Sequence, residues 1–393
     1  MEIQKKYVPD IYLNISHFID HFIMLIFAKA AYDAGLEFGL GYEGIIIFGL
    51  LGFILFGAMA PVAAILADKY SRSTLMVIFH FGVGISAILC SFANTPLELA
   101  IWLGFVGVFA AIYHPVGIAM LLKNSKNLGF RLGINGVFGN LGVAAAPLVT
   151  GYLLLIANWR LSFIIPGLVC LLFGLIFLFA LRPEPQPKPE ETSSGKKIAF
   201  APQWQRALFA LALTTTSGGF IFGSITFIIP RYFEIELSNL SSSVAVTGLL
   251  ASMVYAIAGF AQLGAGWLID RFSEKIILFI IGLGQIIFIF LASIVTDLQL
   301  FFVTLIATSF VFGQIPLVDT IMSRYIPDHA RGKILSIKFV LNLSVGASVI
   351  PVSSLLLKAG YELSTLFTFM SGLAIFVVLA SLILPSRKNI KIS

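Results

Sequence analysis

The sequence predicts an all-α integral membrane protein of twelve transmembrane helices, arranged as two parallel six-helix repeats. Three observations carry this. Of 393 residues, 59% are hydrophobic and only 11% charged, outside the range of an ordinary soluble domain. Apolar stretches of roughly 20 residues, long enough to cross a hydrocarbon core as helix, recur between polar breaks along the whole chain. Finally, AILADKYSRS at 64–73 returns as GWLIDRFSEK at 266–275, about 202 residues later, with Asp68 and Asp270 at the same place in each copy.

Each predicted span is set by what interrupts it. The first, 11–32, is apolar but carries His17, Asp20 and His21, and it lacks the small-residue cleavage site of a signal peptide. The second, 44–67, stops at Asp68-Lys69, and the third, 74–93, runs from Arg72-Ser73 to Asn94-Thr95-Pro96. The fourth, 98–122, ends at Lys123; the fifth, 131–155, begins at Arg131 and stops before Asn158-Trp159-Arg160. The sixth, 161–181, runs into RPEPQPKPEETSSGKK, Arg182 to Lys197, rich in Pro, Ser and charge and without helical period. That stretch reads as a disordered cytoplasmic linker. The second half repeats the plan at 205–230, 245–268, 276–295, 299–322, 334–357 and 364–385, bounded by charged residues such as Arg231, Lys275, Arg324, Lys333 and Lys358. The expected organisation is therefore 1–181 as an N-terminal half, 182–204 as linker and 205–393 as a C-terminal half.

Basic residues orient the spans, because short cytoplasmic loops retain Lys and Arg. With both termini cytoplasmic, Lys69, Arg72, Lys123, Lys126, Arg131, Arg271, Lys275 and Arg324 lie inside, while only Arg160, Arg231 and Lys358 lie outside. The net charge of +6 thus reports topology in a cytoplasmic (inner) membrane, and no nucleic-acid partner is expected. Cys90 and Cys170 fall inside spans, so no disulfide framework is expected.

Further symmetry mates lie at nearly the same offset: Ser16 with Ser217, Pro115 with Pro316, and Asn140 with Asn342. Parallel repeats of this kind are one of the plans that secondary transporters use, with the substrate site at the repeat interface near the midplane. Leu66, Ala67, Asp68, Lys69 and Arg72 resemble the signature loop after the second helix of the major facilitator superfamily, although Ala64 and Ser71 stand where the family has Gly. The resemblance covers essentially the whole chain and implies its fold, with Asp68, Arg72, Asp270 and Arg271 as gating-loop residues that hold one conformation and release in the other. Ser16-His17 near Asp20, Tyr113-His114-Pro115 and GNLGVAAAP at 139–147 further resemble the fosmidomycin-resistance-type branch of efflux carriers. This chain departs from that branch at Asp20-His21 and at Ala146. The helix-five resemblance implies an antiporter.

Chemistry is concentrated in the first span. His17, Asp20 and His21 sit at i, i+3 and i+4, within about 100° of arc on one helical face. An Asp at the centre of a spanning helix costs roughly 2.5–3.5 kcal/mol on insertion scales, so this face is expected to meet protein or water rather than lipid. Imidazole titrates near neutrality, which suits reversible proton binding. Three readings stand: proton or substrate coupling, a polar network that locks helix packing, and a transition-metal site on the HxxxH pair. Coupling is expected and a metal is not, because a third strong ligand is not evident; His114 qualifies only if the fourth span faces the same cavity. Asn140, Gln314, Lys338 and Asn342 are expected to line the path, with Lys338 equally able to snorkel toward the cytoplasm.

No G-x-x-x-x-G-K-[ST] phosphate loop occurs, which argues against ATP hydrolysis, and no enzyme or cofactor is expected. The expected function is alternating-access transport of a small polar or anionic organic solute, as proton-coupled efflux by a monomer in the lipid bilayer. Import of a polycarboxylate metabolite or siderophore through the same fold remains the alternative. A membrane sensor that has kept a carrier fold is the reading outside transport.

Overall fold

The computed structural model describes residues 2–122, 128–180 and 200–385. Residues 182–199 of the expected linker lie outside the described residues. Twelve helices among those described are long and apolar enough to cross a membrane. They are α1 (Asp10–Glu37), α2 (Tyr42–Lys69), α3 (Arg72–Ser91), α4 (Pro96–Leu121), α5 (Arg131–Ile156) and α6 (Leu161–Phe179), then α7 (Trp204–Glu236), α8 (Val244–Arg271), α9 (Glu274–Ala292), α10 (Asp297–Tyr325), α11 (Ile337–Lys358) and α12 (Leu363–Ile383). In a bilayer, helices satisfy every backbone polar group within the segment, which is why an apolar chain of this composition takes this form.

Local chemistry sets the ends and interruptions. Ser71 caps α3, its hydroxyl accepting from Thr74 N, and Thr95 caps α4 by accepting from Glu98 N. Glu98 reaches back to Asn94 N at 2.8 Å, closing a reciprocal pair of bonds at that helix start. Inside α4 the helix is broken at residues 111–112, immediately before Tyr113-His114-Pro115. The Pro115 ring has no N–H to offer and crowds the Ala111 carbonyl four residues back, so the helix breaks there.

The chain clusters into two compact units, Met1–Glu191 with Ser241–Met253, and Thr192–Leu240 with Val254–Ser393. In the first, α1 packs along α5, α3 against α6 and α2 against α4. In the second, α7 packs with α10, α11 and α12, and α9 with α12. The pairings α1 with α5 and α3 with α6 recur as α7 with α11 and α9 with α12, so the repeat in the sequence is also a repeat of packing. Outer faces are apolar: on α6, Leu168, Leu172, Leu175, Ile176 and Phe179 are all exposed at helical spacing, with Phe179 85% exposed. Such a stripe is stable only against lipid. Cys90 and Cys170 are buried free thiols.

Candidate functional site

The first unit buries a polar seam along one face of α1. Asp10, Asn14, His17 and His21 follow one another at intervals of 4, 3 and 4 residues, the spacing of a helical stripe. Across from them stand Arg131 and Asn135 of α5 and Tyr113 and His114 of α4. At one end Arg131 Nε donates to Asp10 Oδ2 at 2.7 Å. Further along, Asn135 Nδ2 donates to Asn14 Oδ1 at 2.9 Å, and the Tyr113 hydroxyl donates to the Leu13 carbonyl at 3.1 Å.

His17 is fixed on every side. Its Nδ1 lies 2.8 Å from the backbone carbonyl of Asn135. A carbonyl only accepts, so Nδ1 carries the hydrogen, and in the neutral ring Nε2 is left as an acceptor. His21 Nε2 lies 3.1 Å from that nitrogen and must donate to it. Tyr113 stacks on the His17 ring at 4.8 Å between centroids and 20° between planes. The fourth side explains part of the helix-five motif. A Cβ on Gly139 would stand 2.6 Å from His17 Cε1, and one on Gly142 would stand 2.2 Å from the Phe18 carbonyl oxygen. Because Cβ atoms tilt toward the helix N-terminus, a side chain at 139 would also cover the turn that holds the Asn135 carbonyl.

Beside this pair sits Asp20, with no solvent exposure, and neither of its carboxylate oxygens has a hydrogen-bond partner among the described residues. His114 Nε2 is 3.5 Å from Asp20 Oδ2. The His114 ring meets those of His17 and His21 edge-on at 5.3 and 5.5 Å. The structure therefore gathers His17, Asp20, His21 and His114 into one cluster, and α4 faces the same space as α1. One ligand nitrogen from each of the three imidazoles lies within 4.8 Å of the others. Asn140, next to Gly139, is buried and its Nδ2 finds no partner among the described residues. His80 is apart from the cluster, bonded to Ser16 Oγ at 3.0 Å and enclosed by Phe79, Phe173 and Phe177.

The second unit has no equivalent of the His cluster among its described residues. Gly218 occupies the position that matches His17, and the Gln314 amide fills the space, with Nε2 only 2.3 Å from where a Cβ would be. Gln314 accepts from Gln285 Nε2 at 2.8 Å and donates to the Thr214 carbonyl at 3.3 Å, a neutral network. Asn342 lies against Gly219, and Lys338 bonds Asp319 of α10. Asp319 is thus not the partner of Arg324, which pairs with Glu274 at the start of α9. In the repeated loops Asp68, Asp270 and Arg271 are exposed. The Arg271 guanidinium lies 4.0 Å over the Trp267 ring and donates to its carbonyl at 3.0 Å. Arg72 is half-buried in the first turn of α3. Lys29 is 2% exposed and donates to Thr247 Oγ1 at 3.1 Å, within the first unit.

Asn14, Asn135, Glu274 and the Asp10–Arg131 pair are missing from the sequence-based expectation. The stripe spacing on α1 was available as a signal for Asn14; for Asn135 only its position one turn before Gly139 pointed that way.

The family model described as Major Facilitator Superfamily matches residues 13–246 and 236–392. The chain belongs to the major facilitator superfamily. It is a transmembrane transporter and not an enzyme, as the resemblance of its signature loop implied. Among relatives of this facilitator is the Multidrug resistance protein MdtG of Proteus mirabilis, 23% identical over 343 residues covering 86% of this chain and 85% of that protein. Another is the protein of the same name from Escherichia coli K12, 24% identical over 328 residues covering 82% and 80%. Solved structures agree on the fold. A D-xylose–proton symporter aligns with TM-score 0.74 at 15% identity over 95% of each chain. A bacterial homologue of the human lysosomal transporter Spinster, inward-facing and unoccupied, aligns with TM-score 0.72 at 17% identity over 95% of each.

Proposed function

We propose that this facilitator exports a small polar or anionic organic solute by alternating access, in exchange for protons, from the cytoplasmic (inner) membrane with both termini in the cytoplasm. Asp20, His17, His21 and His114 carry the proton, while Asn140, Gln314, Lys338 and Asn342 contribute to the solute path. Asp68, Arg72, Asp270 and Arg271 act in the gating loops, and the monomer, built of halves 1–181 and 205–393 around the 182–204 linker, is the working unit. The observation that supports this most is the buried Asp20 carboxylate without hydrogen bonds, 3.5 Å from an imidazole. A carboxylate in apolar surroundings with no donor is stable only when protonated or beside a cation, so its state must change with that of its neighbours. Its relatives among multidrug resistance proteins support export of foreign compounds.

The test is direct. Everted vesicles loaded with a pH-sensitive dye are energised and offered candidate antimicrobial solutes, with the wild type expected to release protons on addition of a transported one. Asp20→Asn is expected to reduce that signal at least about tenfold, a loss of about 1.4 kcal/mol or more in coupling. Wild-type rates in Asp20→Asn, His17→Ala and His21→Ala together would overturn the assignment. Raised internal levels of the solute after gene deletion support export; lost growth on a nutrient or iron source would overturn export in favour of import.

A further inference from the structure

A proton is not the one cation that fits between imidazoles. We propose that His17, His21 and His114, with Asp20, bind a divalent transition-metal ion of the Zn2+ class, which displaces the shared proton and blocks the transport cycle. This inference rests on the reading of the cluster as an exchangeable cation site.

Geometry supplies the argument. Two nitrogens of a tetrahedral Zn2+ with bonds of about 2.0–2.1 Å stand about 3.3 Å apart. His17 Nε2 and His21 Nε2 are already 3.1 Å apart. The third nitrogen, from His114, comes from a different helix and lies within 4.8 Å of the others. Asp20, fully buried and without a hydrogen-bond donor, offers a fourth ligand or a neutralising charge. The outer shell is also in place: His17 gives its Nδ1 hydrogen to the Asn135 carbonyl, which fixes the tautomer and aims the Nε2 lone pair inward. Three imidazoles and a carboxylate suit Zn2+, Co2+, Ni2+ or Cu2+, whereas Mg2+ and Ca2+ take oxygen ligands. On binding to the protonated cluster, the His21 imidazolium loses its Nε2 hydrogen to solvent and keeps the one on Nδ1, so the neutral ring forms the metal–nitrogen bond through Nε2 and one proton is released. With ligands on α1 and α4, the ion ties the two helices together.

The test uses the full chain, purified without a polyhistidine tag and titrated with Co2+. One equivalent is expected to give the visible ligand-field bands of four-coordinate Co2+, to release protons and to be displaced by Zn2+. His21→Ala and His114→Ala are each expected to weaken Co2+ binding by about tenfold or more. His329→Ala, elsewhere in the sequence, is expected to leave it unchanged. Because a variant can lose its fold, His21→Cys supplies a second arm: a thiolate retains the ion and adds sulfur-to-metal charge-transfer absorption. No saturable Co2+ binding, or binding indifferent to His21→Ala and His114→Ala, overturns the proposal. Vesicle assays separate the two readings. If Co2+ does not bind while His21→Ala still abolishes proton release, the metal inference fails and coupling stands. If Co2+ binds the wild type while His21→Ala moves protons normally, coupling fails and the metal site stands.

Discussion

At the scale of single residues, burial decides which charges matter. Glu274 and Asp319 each pair with a cation, but their side chains are 8% and 51% exposed. Water already solvates Asp319, so little depends on its partner. Glu274→Gln removes the charge on which Arg324 relies, and it is expected to destabilise the protein by about 1–3 kcal/mol. Asp319→Asn is expected to change little. Thermal unfolding of both variants in detergent checks the contrast, and equal shifts would show that burial is not the deciding factor. Asp319 and Arg324 lie five residues apart on one helix, yet each takes its partner from another helix. Glu274 comes from a different helix, and no local spacing reveals such a pair.

At the scale of elements, α5 is a fitted surface for α1. Gly139 and Gly142 leave the space into which His17 and the Phe18 carbonyl move. Gly139→Ala would set a Cβ within 2.6 Å of the imidazole, so the ring must move away from the Asn135 carbonyl. Overpacking of this kind costs about 1–3 kcal/mol. Transport is expected to lose coupling before it loses solute binding, read as reduced proton release with an unchanged half-saturating solute concentration. Gly133, around which a Cβ would meet nothing within 4 Å, is the control, and Gly133→Ala is expected to be silent. The helix-five motif was visible in the sequence as a resemblance. Its physical content, a seat for one imidazole, required the neighbouring helix.

At the scale of the whole molecule, the orientation of the spans is testable because both native thiols are buried. Ala157→Cys, at an exposed helix end, is expected to react with an impermeant maleimide added to intact cells, whereas Tyr70→Cys, 54% exposed in the repeated loop, is expected to react only in everted vesicles. The reverse pattern would invert the topology. The two units share one packing plan but differ at the place of His17: among the described residues, imidazoles and a carboxylate stand there in the first and the Gln314 amide in the second. Twelve spans, their order, the repeat and the helix-one face were all determined by the sequence, since crossing a bilayer requires long apolar runs and a helix has one fixed period. What only the tertiary structure decided is which polar groups meet. His114 is 93 residues from His21 in the chain, and Gly218 shows that the same backbone plan can leave that place empty of titratable groups. Contacts between helices depend on side-chain shape at the crossing, on Gly139 and on the break at Pro115, and no periodicity encodes them. His114, which the sequence offered only on the condition that the fourth span face the same cavity, does meet His17 and His21 there.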